Sequence, residues 1–120
     1  MIMPLVARWA LALAFTQLVE APMYASAIGD DRARGERWAI ALGASLITHP
    51  LVWFVFPDLT ALIAPEAGPW SSIALSETFA VTAEAIWLWL FGVRHAFPLA
   101  LLANGTSFLL GLFLYTYLAW

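Results

Sequence analysis

Four stretches of about twenty residues, each apolar enough to cross roughly 30 Å of hydrocarbon as a helix, leave this chain few ways to fold. They cover residues 4–28, 38–56, 71–93 and 98–119. A backbone surrounded by lipid must satisfy its own N–H and C=O groups. The expected fold is therefore all-α, a polytopic antiparallel bundle of four transmembrane helices, with residues 1–120 forming a single domain. Composition agrees: 63% of residues are hydrophobic and 11% charged, a balance with too few polar side chains to cover a soluble domain of this length. Lys and Cys are absent, so a basic nucleic-acid surface, a disulfide and a thiolate metal site or thiol nucleophile are excluded.

The connections carry most of the charge. Asp30, Asp31, Arg32, Arg34, Glu36 and Arg37 fill the first, residues 57–70 form a Pro- and Gly-containing second with one interfacial turn expected around Leu59 to Ala64, and Arg94-His95 marks a tight third. The arginines of the first and third place both on the cytoplasmic side, which puts both termini outside. Arg8 argues weakly the other way. The first stretch also has the parts of a cleaved signal peptide, with Arg8, a short apolar run and Ala25-Ser26-Ala27. Gln17 and Glu20 interrupt that run, and the stretch is expected to remain and span. Trp9, Trp38, Trp53, Trp70, Trp87, Trp89 and Trp120 fall near the expected ends, as an aromatic belt requires, and Tyr115 and Tyr117 anchor the outer end of the last helix.

Within the apolar stretches stand ionisable groups that cost about 2.5–3.5 kcal/mol each at the bilayer centre unless a partner is provided. Glu77 and Glu84 are two helical turns apart and share a face. At a rise of about 1.5 Å per residue, Glu20, His49, Glu84, Asn104 and Ser107 fall at nearly one depth although they come from four different stretches. In a bundle they should turn inward and meet. Gln17 and Tyr24 extend Glu20 into a polar stripe, Thr48 adjoins His49, and Glu77 sits about 10 Å from Glu84 toward the outer face. Pro22 and Pro50 free the carbonyls of Leu18 and Leu46 for the same cluster.

A faint internal similarity accompanies this. Glu20-Ala21 matches Glu84-Ala85, and Ala41-Leu42-Gly43-Ala44-Ser45 with Thr48 matches Ala100-Leu101-Leu102-Ala103-Asn104 with Ser107. A duplicated two-helix hairpin would relate the halves by an axis along the membrane normal, although Ala and Leu are common enough in membrane helices for chance to produce the match.

Taken together, Glu20-Ala-Pro22-Met-Tyr24, Thr48-His49-Pro50, the pair Glu77 and Glu84, and Asn104-x-x-Ser107-x-x-x-Gly111 resemble a group of small four-span bacterial inner-membrane proteins of unassigned function. The resemblance implies the fold and the inner membrane and no activity. With the small multidrug resistance transporters the chain shares length, span number and a glutamate in the first helix; the residues around that glutamate do not follow their pattern.

Two carboxylates and an imidazole at one depth can pass protons or bind a divalent cation. The first expectation is proton or divalent-cation transport or conduction, with Glu20, His49, Glu84, Asn104 and Ser107 as the site and Gln17, Tyr24, Thr48 and Glu77 in support. The second is a non-catalytic scaffold or accessory subunit whose polar core fixes helix register. The third is an intramembrane metal-dependent hydrolase with Glu20, His49 and Glu84 as ligands to a divalent metal ion, the one cofactor that the residues suggest. The balance leans away from an enzyme, because no Ser nucleophile motif, His-Glu-x-x-His or phosphate-binding Gly loop is present. The expected partners are the lipid bilayer and further copies of the chain or a larger membrane complex, since so small a unit has little room for a pathway within itself.

Overall fold

The computed structural model describes residues 2–118. The last position of the fourth expected span and the belt position of Trp120 lie outside the described residues. Among those described, five helices form: α1 (Leu5–Ala27), α2 (Arg34–Phe54), α3 (Phe56–Ile63), α4 (Pro69–Leu90) and α5 (Ala96–Leu118). The four long ones lie within a few residues of the expected stretches. Each packs on two neighbours, α1 on α2 and α5, α4 on α2 and α5, so they close into a ring with α3 resting on α2 and α4.

Punctuation residues explain the helix ends. Pro57 has no N–H and its ring opposes the carbonyl four residues back, so α2 stops at Phe54 and the chain bends 46° into α3. The region expected as a loop with one interfacial turn is therefore an eight-residue helix followed by a short connection. Gly68 takes a left-handed φ of 77°, and Pro69, with φ fixed by its ring, starts α4. At the far end of α4 the N–H of Val93 bonds to the carbonyl of Leu88, and that of Gly92 to Trp89. This is a Schellman ending, with Gly92 supplying the left-handed residue and Val93 and Leu88 both buried in the core.

Four equivalent spans are not what the helices present. α4 and α5 are each long and apolar enough to cross a membrane, and α2 with α3 passes only as one bent pair. Polar and charged side chains explain the shortfall: Arg8, Gln17 and Glu20 dilute α1, and Arg34, Glu36 and Arg37 occupy the first turn of α2.

Packing is tightest at the end of the bundle that carries the first and third connections. Ala21, Ala25, Ala41, Ala44 and Ala103 are buried there with Tyr24, Ile28, Ile40 and Leu88. Small side chains let the helix backbones approach closely. Gly43 shows how closely, since a Cβ added there would meet the Trp87 ring at 2.8 Å. That ring is fixed in turn, its Nε1 donating to the carbonyl of Ile40 at 2.9 Å. Toward the other end the inward residues are Phe15, Trp53 and Phe108, and the helices leave a cavity between them.

Candidate functional site: a buried pair of glutamates

Glu20 on α1 and Glu84 on α4 lie where the alanine packing gives way to the cavity, each only 1% exposed. They come from helices whose backbones stand apart across the bundle, and α2 and α5 between them supply most of their hydrogen bonds. Ser45 of α2 donates to Glu20 Oε2 at 2.6 Å, and Ser107 of α5 to Glu20 Oε1 at 2.6 Å. Thr48 of α2 donates to Glu84 Oε2 at 3.0 Å, and Asn104 of α5 to Glu84 Oε1 at 3.3 Å. Tyr24 adds a 2.7 Å bond to Glu84 Oε1 and accepts one from Asn104 at 3.2 Å.

The bonds follow a reciprocal pattern. Each glutamate accepts from the first polar residue on the second helix of its own hairpin, Ser45 or Asn104, and from the second polar residue on the other hairpin, Ser107 or Thr48. Tyr24 breaks the pattern, because the position matching it in the α4 hairpin is the equally buried Leu88. Three donors thus converge on Glu84 and two on Glu20.

Apart from each other, the two carboxylates are partnered only by hydroxyls and an amide among the described residues. Among the described residues no Lys or Arg lines the cavity that reaches them, and no fixed cation there balances the pair. The cavity holds about 280 Å³. It runs from Glu20 and Glu84 toward the end of the bundle that carries α3, past His49, Trp53 and Glu77. Toward the first and third connections the way is filled by Tyr24, Leu88 and the packed alanines.

The expected site residues divide accordingly. Glu20, Glu84, Asn104 and Ser107 meet in one network, and Tyr24 and Thr48, expected only in support, bond directly to a carboxylate. His49 shares the cavity but not the network. Its Nε2 lies 3.5 Å from Thr16 Oγ1, its ring packs between Trp9 and Trp53, and its Nδ1 is buried without a partner. The expected ligand set of Glu20, His49 and Glu84 is not assembled: among the described residues no three His, Cys, Asp or Glu side chains group so as to hold a metal ion. The imidazole faces its own aromatic box, and hydroxyls occupy the space around the carboxylates, so the hydrolase reading loses its metal centre. Gln17 also leaves the cluster, its Nε2 donating to the carbonyl of Leu42 at 2.8 Å. Leu18 and Leu46, whose carbonyls the prolines free, sit on the outer face. Glu77 lines the cavity about two turns from Glu84, and with Trp53 and Phe108 it also lines a groove beside Pro57.

Two contributors were not expected as site residues. Ser45 was legible only through its alignment with Asn104 in the duplicated pattern. Thr16 carried no signal beyond lying one turn from Glu20. No family model, curated protein or solved structure matches the chain, so a functional reading rests on the geometry of the site.

Proposed function

We propose that this is a small multi-pass membrane protein that moves protons, or a small cation, through the Glu20–Glu84 site. One observation carries the reading: two buried carboxylates end a cavity in which, among the described residues, no Lys or Arg balances them. Buried charge without a protein partner is costly, and a proton or a mobile cation from outside supplies the balance. The position of His49 away from the pair favours the proton over a divalent cation. Glu77, lining both the cavity and the groove beside Pro57, serves as the relay between the pair and the outer surface.

All four long helices cross the bilayer in this proposal, α1 and α2 depending on the bundle to shelter their polar groups. The arginine-bearing connections lie inside and the termini outside. We group the chain with the small four-span proteins of the bacterial inner membrane that its motifs resemble. Reciprocal bonding by Ser45, Thr48, Asn104 and Ser107 supports a duplicated hairpin with a pseudo-twofold axis along the membrane normal. Passage past the closed end requires the Tyr24 seal to open, and a homo-oligomer is the arrangement in which so small a bundle could brace that movement.

A second reading, a scaffold with a structural polar core, has its own support: all four oxygens of the two carboxylates accept a hydrogen bond. Paired measurements on Glu84→Gln separate the two. Transport requires that purified protein in liposomes carry a proton flux that Glu84→Gln removes while the bundle remains folded. A scaffold gives no flux in the parent protein, and the substitution lowers stability alone.

A further inference from the structure

We propose that the groove on the outside of α4, at its turn into α5, binds an anionic phospholipid whose phosphate meets Arg94. The groove is separate from the carboxylate cavity and follows one face of α4, where Thr82, Ala85, Ile86 and Trp89 recur at three- and four-residue steps, and continues past Val93 in the turn. Phe97 of α5 bounds it at the turn, and its volume is about 740 Å³. Its floor is buried at Ala85, Val93 and Ala96, while Trp89 and Phe97 stand 68% and 56% exposed along its sides. From Leu90, where α4 ends, back to Thr82 is about 12 Å along the helix, somewhat less than half of the roughly 30 Å hydrocarbon core. A groove of that length with a charged mouth and an apolar floor fits the upper part of one acyl chain beneath its headgroup.

Charge selects the headgroup. Arg94 is exposed and has no partner among the described residues, whereas Arg32 is held by Glu36 and the carbonyl of Phe91, and Arg37 by Asp30. A guanidinium presents paired donors that match phosphate oxygens, and His95 beside it adds ring nitrogens at the same mouth. The turn is firmly held: the Schellman bonds close it on one side, and His95, in the left-handed region at φ 55°, accepts from the Leu99 N–H on the other. In phosphatidylglycerol the phosphate charge is unshielded, whereas in phosphatidylcholine an ammonium accompanies it. Arg94 therefore favours the anionic lipid. Trp89 lies about a turn deeper, where an interfacial aromatic ring belongs.

The inference rests on the membrane reading of α4 and α5 and is independent of transport. Native mass spectrometry of the full chain in detergent, with phosphatidylglycerol, phosphatidylcholine or inorganic phosphate added, tests it. The parent should retain phosphatidylglycerol about fivefold over phosphatidylcholine, the preference that one basic residue near the surface supplies. Arg94→Gln should abolish that preference, and Arg34→Gln, at another exposed arginine, should leave it. Equal retention of both lipids by the parent, or an unchanged preference in Arg94→Gln, overturns the proposal. Displacement by inorganic phosphate also overturns it, by assigning the mouth to a soluble anion. Quenching of tryptophan emission by phosphatidylglycerol with brominated chains should fall in Trp89→Phe, and equal quenching in that variant places the chain elsewhere. A protein that keeps the lipid preference but carries no proton flux upholds this inference and defeats the transport reading.

Discussion

Glu84 accepts from Tyr24, Thr48 and Asn104, and Tyr24 is fully buried, so the tyrosine hydroxyl links the site to the packed end of the bundle. Tyr24→Phe keeps the ring and removes the hydroxyl, leaving Asn104 without one acceptor and Glu84 with one donor fewer. A buried hydrogen bond contributes about 0.5–1.5 kcal/mol net, and denaturant unfolding in detergent should register a loss of that order. A stability equal to the parent's would mean that the hydroxyl holds nothing. At this scale the sequence conveyed depth well and direction poorly. Depth follows from counting residues along a helix, which is how Glu20, Glu84, Asn104 and Ser107 could be grouped. Direction depends on how each helix is turned about its axis, and that is why His49, at matching depth, faces Trp9 and Trp53 instead of the carboxylates.

Helix boundaries were legible because Pro57, Gly68, Pro69 and Gly92 act locally, through a fixed φ, a missing N–H or a left-handed turn. The identity of α3 was less so, since a segment flanked by prolines suits a loop or a short helix equally, and packing on α2 and α4 decides between them. Close approach between elements also left little trace in the sequence. Gly43 is one small residue among many, yet the Trp87 ring occupies the space that its side chain would take. Gly43→Val should push that ring from the carbonyl of Ile40 and destabilise the protein by about 1–3 kcal/mol, as overpacking typically does. Unfolding measurements, with tryptophan emission following the ring, check this; an unchanged protein would mean that α2 and α4 are less closely apposed.

For the whole molecule, the sequence pointed to a membrane protein and a bundle, and the helices support the first most clearly in α4 and α5. The bundle's asymmetry along its axis, tight at one end and hollow at the other, emerges only when four helices are brought together. It makes sidedness testable. The chain contains no cysteine, so single cysteines report without interference. With the proposed topology, a membrane-impermeant thiol reagent applied to right-side-out vesicles should label Glu66→Cys and spare Arg34→Cys, and the reverse result would invert the orientation. The duplicated hairpin is testable at the same scale. Exchanging the matched residues, Ser45→Asn together with Asn104→Ser, should disturb stability less than either change alone, because the site as a whole keeps one amide and one hydroxyl at the two matched positions. A strictly additive loss would argue against equivalence of the halves.

The central claim is that Glu20 and Glu84 form a working proton site. Its most direct measurement is dye-reported proton flux into liposomes under an imposed membrane potential, comparing the parent protein with Glu84→Gln at equal folded amounts. General acid–base groups contribute about 10²-fold or more where they act, so flux in the variant should fall by at least that order. A parent protein without flux above empty liposomes, or a variant that conducts as the parent does, contradicts the claim.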